Sequence, residues 1–147
     1  MLKKNLHCGS ELKQLGEVSM NNFLQLTIHG QTPAQKNSKQ FARLRDGRTI
    51  LVSNKIVQAW QKEAAKELAL LYQRDTFTER VRISYMFFVK DNRGRDIDNM
   101  IASVNDALVK AGVLLDDKWQ LLAIGSADAQ LDKDNPRAEI VIEKYGL

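Results

Sequence analysis

Val81, Ile83, Tyr85, Phe87 and Val89 alternate with other residues along positions 80 to 90. This is the two-residue period of a strand with one buried face. The period then changes. After a polar stretch at 91 to 95, Ile101, Val104, Leu108 and Ala111 recur at steps of three and four, the spacing of one apolar helix face. Asp98 is expected to cap this helix, which spans roughly 98 to 111, and Gly112 supplies the stop signal. A strand that runs into a helix, with acids gathered at the joint, constrains the chain more than any other segment.

The remaining elements build around that unit. Leu24, Leu26 and Ile28 alternate over 23 to 29, as in a half-buried strand, and Pro33 marks 30 to 40 as a loop. Asp46-Gly47 lies between two short strand-like segments within 41 to 52, and Asp-Gly suits the positive backbone angles of a hairpin turn. Ser53 is expected to cap a long helix whose stripe is Val57, Trp60, Ala64, Leu68 and Leu71, reaching about Arg74. Residues 120 to 130 and 137 to 145 read as two further strands joined by a polar turn at 132 to 136. The expected class is α+β: a mixed sheet of about four to six strands covered by two main helices. At 147 residues the chain suits one domain, expected over 23 to 147, with residues 1 to 22 as an arm outside the core.

Several function classes are excluded or disfavoured. No apolar run approaches the roughly 20 residues of a membrane helix, and residues 1 to 10 lack the apolar stretch of a secretory signal, so a cytoplasmic location without membrane contact is expected. A single cysteine, Cys8, supports neither an internal disulfide framework nor a structural zinc site. His7 and His29 lack a second histidine or cysteine at metal spacing. Residues 91 to 98 superficially suggest a calcium loop, but Arg93 and Arg95 stand where oxygen donors are needed. Trp60, Tyr85, Phe87 and Phe88 are expected in the core rather than as base-stacking platforms.

Charge is unevenly spread. Between residues 30 and 62, seven basic residues (Lys36, Lys39, Arg43, Arg45, Arg48, Lys55 and Lys62) face one acid, Asp46. Between 91 and 134, nine aspartates face five basic residues. That separation suits a polyanion gripped by one part and a cation held by another. In Arg95-Asp96-Ile97-Asp98-Asn99, the two carboxylates can project the same way and share a hard ion such as Mg²⁺, which prefers oxygen ligands. Taken alone, such a pair more often means a helix cap beside a solvated acid. A second pair, Asp116-Asp117, follows the helix, and the return of the chain to the sheet can carry a third carboxylate toward the first two.

The residues Arg95-Asp96-Ile97-Asp98-Asn99, Asp106-Ala107-Leu108, Ala111-Gly112 and Asp116-Asp117 together resemble the signature of the RusA family of Holliday-junction resolvases. Pro33, the basic loop, Gly47-Arg48-Thr49 and the helix around Trp60 extend the likeness over about 23 to 145. The resemblance implies a homodimeric endonuclease that nicks four-way DNA junctions symmetrically with Mg²⁺ or Mn²⁺ during recombination and repair. It implies that Asp96, Asp98 and Asp117 are the essential metal-binding carboxylates. Asn99 matches the family asparagine, while Asp106 and Asp116 are secondary; Asp106 is expected on the helix surface or at a subunit contact. Lys36, Lys39, Arg43, Arg45, Arg48 and Lys55 are expected to hold DNA phosphates without reading sequence.

One departure stands out: Ala102 replaces a lysine common in the family four residues after the second aspartate. Lys118 or Lys90 is expected to supply the missing charge from another direction. Ala102 also prompts a rival reading, a catalytically weak or silent module that binds branched DNA without cutting it. A third reading, an interaction protein with merely solvated acidic loops, predicts no salt-sensitive DNA binding.

Overall fold

The computed structural model describes residues 23–34, 40–52 and 54–145, and the expected arm at 1 to 22 lies outside them, as do Lys36, Lys39 and Ser53. Among the described residues six strands and two helices follow one another as β1 (Phe23–His29), β2 (Gln40–Arg43), β3 (Thr49–Val52), α1 (Lys55–Leu71), β4 (Val81–Val89), α2 (Ile97–Lys110), β5 (Leu122–Leu131) and β6 (Arg137–Lys144). Four strands form one sheet in the order β1-β6-β4-β5, and β2 with β3 forms a separate hairpin. The α+β class with a mixed sheet is as expected: β4 runs antiparallel to β6 and parallel to β5. A parallel neighbour needs a crossover, and α2 provides it.

Strand alternation becomes one buried face. Leu24, Leu26 and Ile28 of β1, Val81, Ile83, Tyr85 and Phe87 of β4, and Ala138, Ile140 and Ile142 of β6 all lie within the core. Val104, Ala107 and Leu108 of α2, and Ala64 and Leu68 of α1, close it. The opposite face of the sheet carries Arg82, Arg137, Glu139 and Glu143. Tyr85 and Phe87 are core as expected, but Phe88 points to that polar face, where the Arg137 guanidinium stands 3.7 Å from its ring centre. Trp60 packs on the core while remaining half-buried.

Local chemistry sets the element ends, with three differences from expectation. The cap of α1 is Asn54, whose side chain accepts from the Ile56 amide at 3.0 Å, and the helix stops at Leu71 rather than near Arg74. The cap of α2 is Asp96 rather than Asp98. The strands β5 and β6 are joined by a short turn yet are not neighbours, because β4 lies between them. Other signals hold. Gly47, at φ 86°, sits in the hairpin turn beside Asp46, and Gly112, at φ 77°, ends α2 in a conformation that a Cβ atom disfavours.

Candidate active site

The loop leaving β4 is fixed before it reaches the acids. Arg95, with its side chain only 13% exposed, binds Asp91 Oδ1 at 2.7 Å and donates to the carbonyls of Asp91 and Arg93 at 3.1 and 3.2 Å. That guanidinium is the main reason the Asp91 carboxyl is held below the usual carboxylate range. The Lys90 amide donates to Gln31 Oε1 at 2.8 Å, which ties the loop to the segment after β1.

Asp96 follows in an extended conformation, and the Met100 amide bonds to its carbonyl. A capping aspartate normally accepts from a free amide of the first turn. Asp96 does not: its carboxylate makes no cap bond, and Oδ2 accepts instead from the Asn99 side chain at 3.1 Å. Asp98 stands in the first turn, where Oδ1 accepts from the Asn99 amide at 3.0 Å. Both carboxylates are exposed, and the positive end of the helix favours their charge. Asn99 therefore steadies both acids. The second turn is anchored by Ser103, whose hydroxyl donates to the Pro33 carbonyl at 3.0 Å.

Asp98, Ala102 and Asp106 share one face of α2 at successive steps of four. At 1.5 Å per residue, Asp106 lies about 12 Å along the axis from Asp98. Asp106 is exposed, as expected, but it is not an isolated surface acid. Gln61 of α1 donates to it at 3.2 Å, and its carboxyl is pushed above the usual range first by burial and then by the charge of Asp117. A helical projection of α2 alone cannot reveal a partner on α1. The Asp117 charge also reaches Tyr85, whose buried hydroxyl donates to Asn105 at 2.6 Å and is kept protonated chiefly by burial.

The segment carrying Asp117 is pinned by the Phe77 amide bonded to the Val113 carbonyl and by the Thr76 hydroxyl bonded to the Gly112 carbonyl. Lys118 is committed to Asp116 at 3.0 Å and lowers that carboxyl's pKa, whereas Lys90 and Asp96 line one cavity. Asn99 links Asp96 with Asp98, and the charge of Asp117 acts on Asp106. Among the described residues no three histidine, cysteine or acidic side chains come together in a ready-made metal centre. Asp96 and Asp98 are engaged with Asn99, Asp106 with Gln61 and Asp116 with Lys118. The donors of Asp96 and Asp98 nevertheless suit a hard divalent cation. Each engages one oxygen with Asn99, and no hydrogen bond among the described residues claims Oδ1 of Asp96 or Oδ2 of Asp98.

The basic residues also differ in their partners. Arg43, Arg45, Arg48 and Lys55 are exposed on or beside the hairpin. Arg48 is spoken for, clamping Asp46 at 2.7 Å and closing the turn. The cavity beside Asp96, bounded by the loops after β1 and β4 and by the start of α1, was not anticipated from the sequence. Its walls come from distant segments with no common spacing.

No individually curated protein matches the chain. The family described as Endodeoxyribonuclease RusA matches residues 30–143, which takes in every element from the loop after β1 nearly to the end of β6, Asp96, Asp98, Asp106 and Asp117 included. The chain therefore belongs to the RusA endodeoxyribonuclease family, whose activity is directed at Holliday junctions.

Proposed function

We propose that the chain is a homodimeric, Mg²⁺- or Mn²⁺-dependent resolvase that cuts four-way DNA junctions by paired symmetric nicks, in the cytoplasm, in recombination and repair. The observation that carries this reading is Asp96 at the start of α2, where an acid that forgoes its capping bond stands exposed beside Asp98. Asp96, Asp98 and Asp117 would hold the cation, with Asn99 orienting the first two. A divalent ion bound there supplies an activated water and neutralises charge on the phosphate. Lys90 places a further positive charge beside Asp96, in part replacing the lysine absent at Ala102. Asp106 and Asp116 are secondary acids that support full activity. Arg43, Arg45 and Lys55 hold phosphates, with Lys36 and Lys39 in the same basic stretch, and Arg48 shapes the turn that presents them.

The test is cleavage of a synthetic four-way junction with and without Mg²⁺ or Mn²⁺, with linear duplex as the control. Metal-dependent nicking confined to the junction supports the proposal. Tight, salt-sensitive binding without cutting under any metal would instead establish the silent binding module to which Ala102 points. Replacing Lys90 and Lys118 in turn by alanine separates their roles: Lys90→Ala slows cutting, and Lys118→Ala, whose charge is spent on Asp116, changes it little.

A further inference from the structure

The four-stranded sheet ends in β1 on one side and β5 on the other, and the two edges are built differently. At β1 the inward residues Leu24, Leu26 and Ile28 are at most 2% exposed. At β5 the same alternation is present without the burial. Pairing with β4 sets Ile124, Ala127, Ala129 and Leu131 beside Ile83, Tyr85, Phe87 and Val89, on the face where the core lies. Asp128 and Gln130 lie beside Met86 and Phe88, on the opposite face. Yet Ile124 is 58% and Leu131 54% exposed, and Ala129 is exposed with them. An apolar row patterned for burial and left open marks a surface that meets another.

The edge beside that row is unguarded. Among the described residues no strand pairs with its outer side. Sheet edges are usually blunted by lysine or proline, because free amides and carbonyls invite pairing. Leu122–Leu131 contains neither, and Asp128 is its single charge. The register shift between Ile124 and Ala127 bends the first part of β5 and leaves residues 127–131 regular. Within that stretch the Ala129 amide donates to Oδ1 of the adjacent Asp128 at 2.7 Å, a side chain standing in for a strand partner.

We propose that residues 127–131 pair antiparallel with the same segment of a second copy of the chain, joining the two sheets into one. An antiparallel pair has its own two-fold axis, so a strand can be its own partner. The side chains choose the register. With the axis at Ala129, Asp128 of each copy lies opposite Gln130 of the other, and Ala127 lies opposite Leu131. A carboxylate then meets an amide donor on the polar face, and apolar side chains meet on the inner one. Centring on Asp128 would set two carboxylates face to face, and centring on Gln130 would set Asp128 against Asp132. Centring on Ala127 runs into the register shift. Opposed residues share a face, so both helix layers lie on one side of the joined sheet, with the two sets of acids related by the axis. Paired symmetric nicks require such an arrangement. The pairing rests on the homodimeric reading and names its surface.

The test is sedimentation equilibrium of the full chain, which reads the dimer dissociation constant. Ala129→Pro removes the amide at the axis and raises that constant by about tenfold or more. Gln130→Glu sets like charges opposite each other twice and raises it by about fivefold at low salt, and adding Asp128→Lys restores it. The charge variants alter only exposed side chains, so they stand even if the proline variant folds poorly. A dimer that all three variants leave unchanged overturns the proposal, moves the interface elsewhere and leaves the nuclease reading intact. A weakening by Gln130→Glu that Asp128→Lys fails to restore also overturns it. A wild-type chain that sediments as a monomer, its open row left to residues 1–22 or to a foreign partner, removes the homodimer and this interface together. A chain that pairs through β5 yet cuts no junction under any metal keeps the interface and removes the nuclease reading.

Discussion

The joint between β4 and α2 and the hairpin of β2 and β3 both display exposed charge, yet only the joint is braced from beneath. Val81, Ile83 and Phe87 are at most 1% exposed, and β4 is hydrogen-bonded along both edges, to β5 and β6. Arg95 then locks the loop that delivers Asp96. Among the described residues the hairpin strands pair only with each other, and Phe41 and Leu51, directly opposed, are 80% and 49% exposed. Two strands alone are marginally stable in water. The difference teaches a division of labour: chemistry demands side chains held to fractions of an ångström, whereas gripping a phosphate backbone tolerates a support that adjusts to it.

That comparison can be broken at several points. The largest effect should come from the brace: Phe87→Ala is expected to cost about 3–5 kcal/mol in denaturant unfolding, and Phe41→Ala less than about 0.5 kcal/mol. Similar losses at both sites would show the hairpin to be as firmly packed as the joint. Next, Asp98→Asn should lower the junction-cutting rate on the order of 10³-fold with unchanged circular dichroism and nearly unchanged junction affinity. A variant that loses binding instead would place Asp98 in the grip rather than the chemistry. Arg43→Ala with Arg45→Ala should weaken binding to every DNA about equally and reduce the salt slope by roughly one per residue, read from affinity at several salt concentrations.

The smallest effect concerns Asp106. Burial and the Asp117 charge raise the Asp106 carboxyl above its ordinary value of 3.8, so above that raised value the folded chain carries an ionised group it disfavours. Stability therefore rises as pH falls through the raised folded value toward the unfolded one. Asp106→Asn keeps an acceptor for Gln61 and removes the repulsion. It should raise Tm by about 1–2 °C at neutral pH, a modest gain for an exposed group, and the gain should vanish toward pH 3.8. A gain that persists at low pH would assign the effect to something other than charge.

Much of the fold is legible because burial leaves a period in the chain. The first strand, Phe23–His29, is read to the residue, and β4 to within one residue at each end, since each has a face wholly inside the core. The start of α2 is less clear. Asp96 and Asp98 both satisfy the capping preference, and only the extended backbone at Asp96 decides between them. The separation of β5 from β6 is invisible, because a local pattern tells how a strand is buried and not which strand lies beside it. The acids of the site stand out in the sequence by type and spacing. The contact of Asp106 with Gln61 does not, since its partner lies on another helix.

The central claim is that the ion is held at the β4–α2 joint and not by the molecule's charge at large. Electron paramagnetic resonance of Mn²⁺ bound to the wild-type chain, to the double variant Asp96→Asn with Asp98→Asn, and to the hairpin double variant tests it most directly. The account predicts that bound Mn²⁺ disappears when the two acids are removed and is unchanged when Arg43 and Arg45 are removed. Undiminished Mn²⁺ binding in the absence of both carboxylates would contradict it.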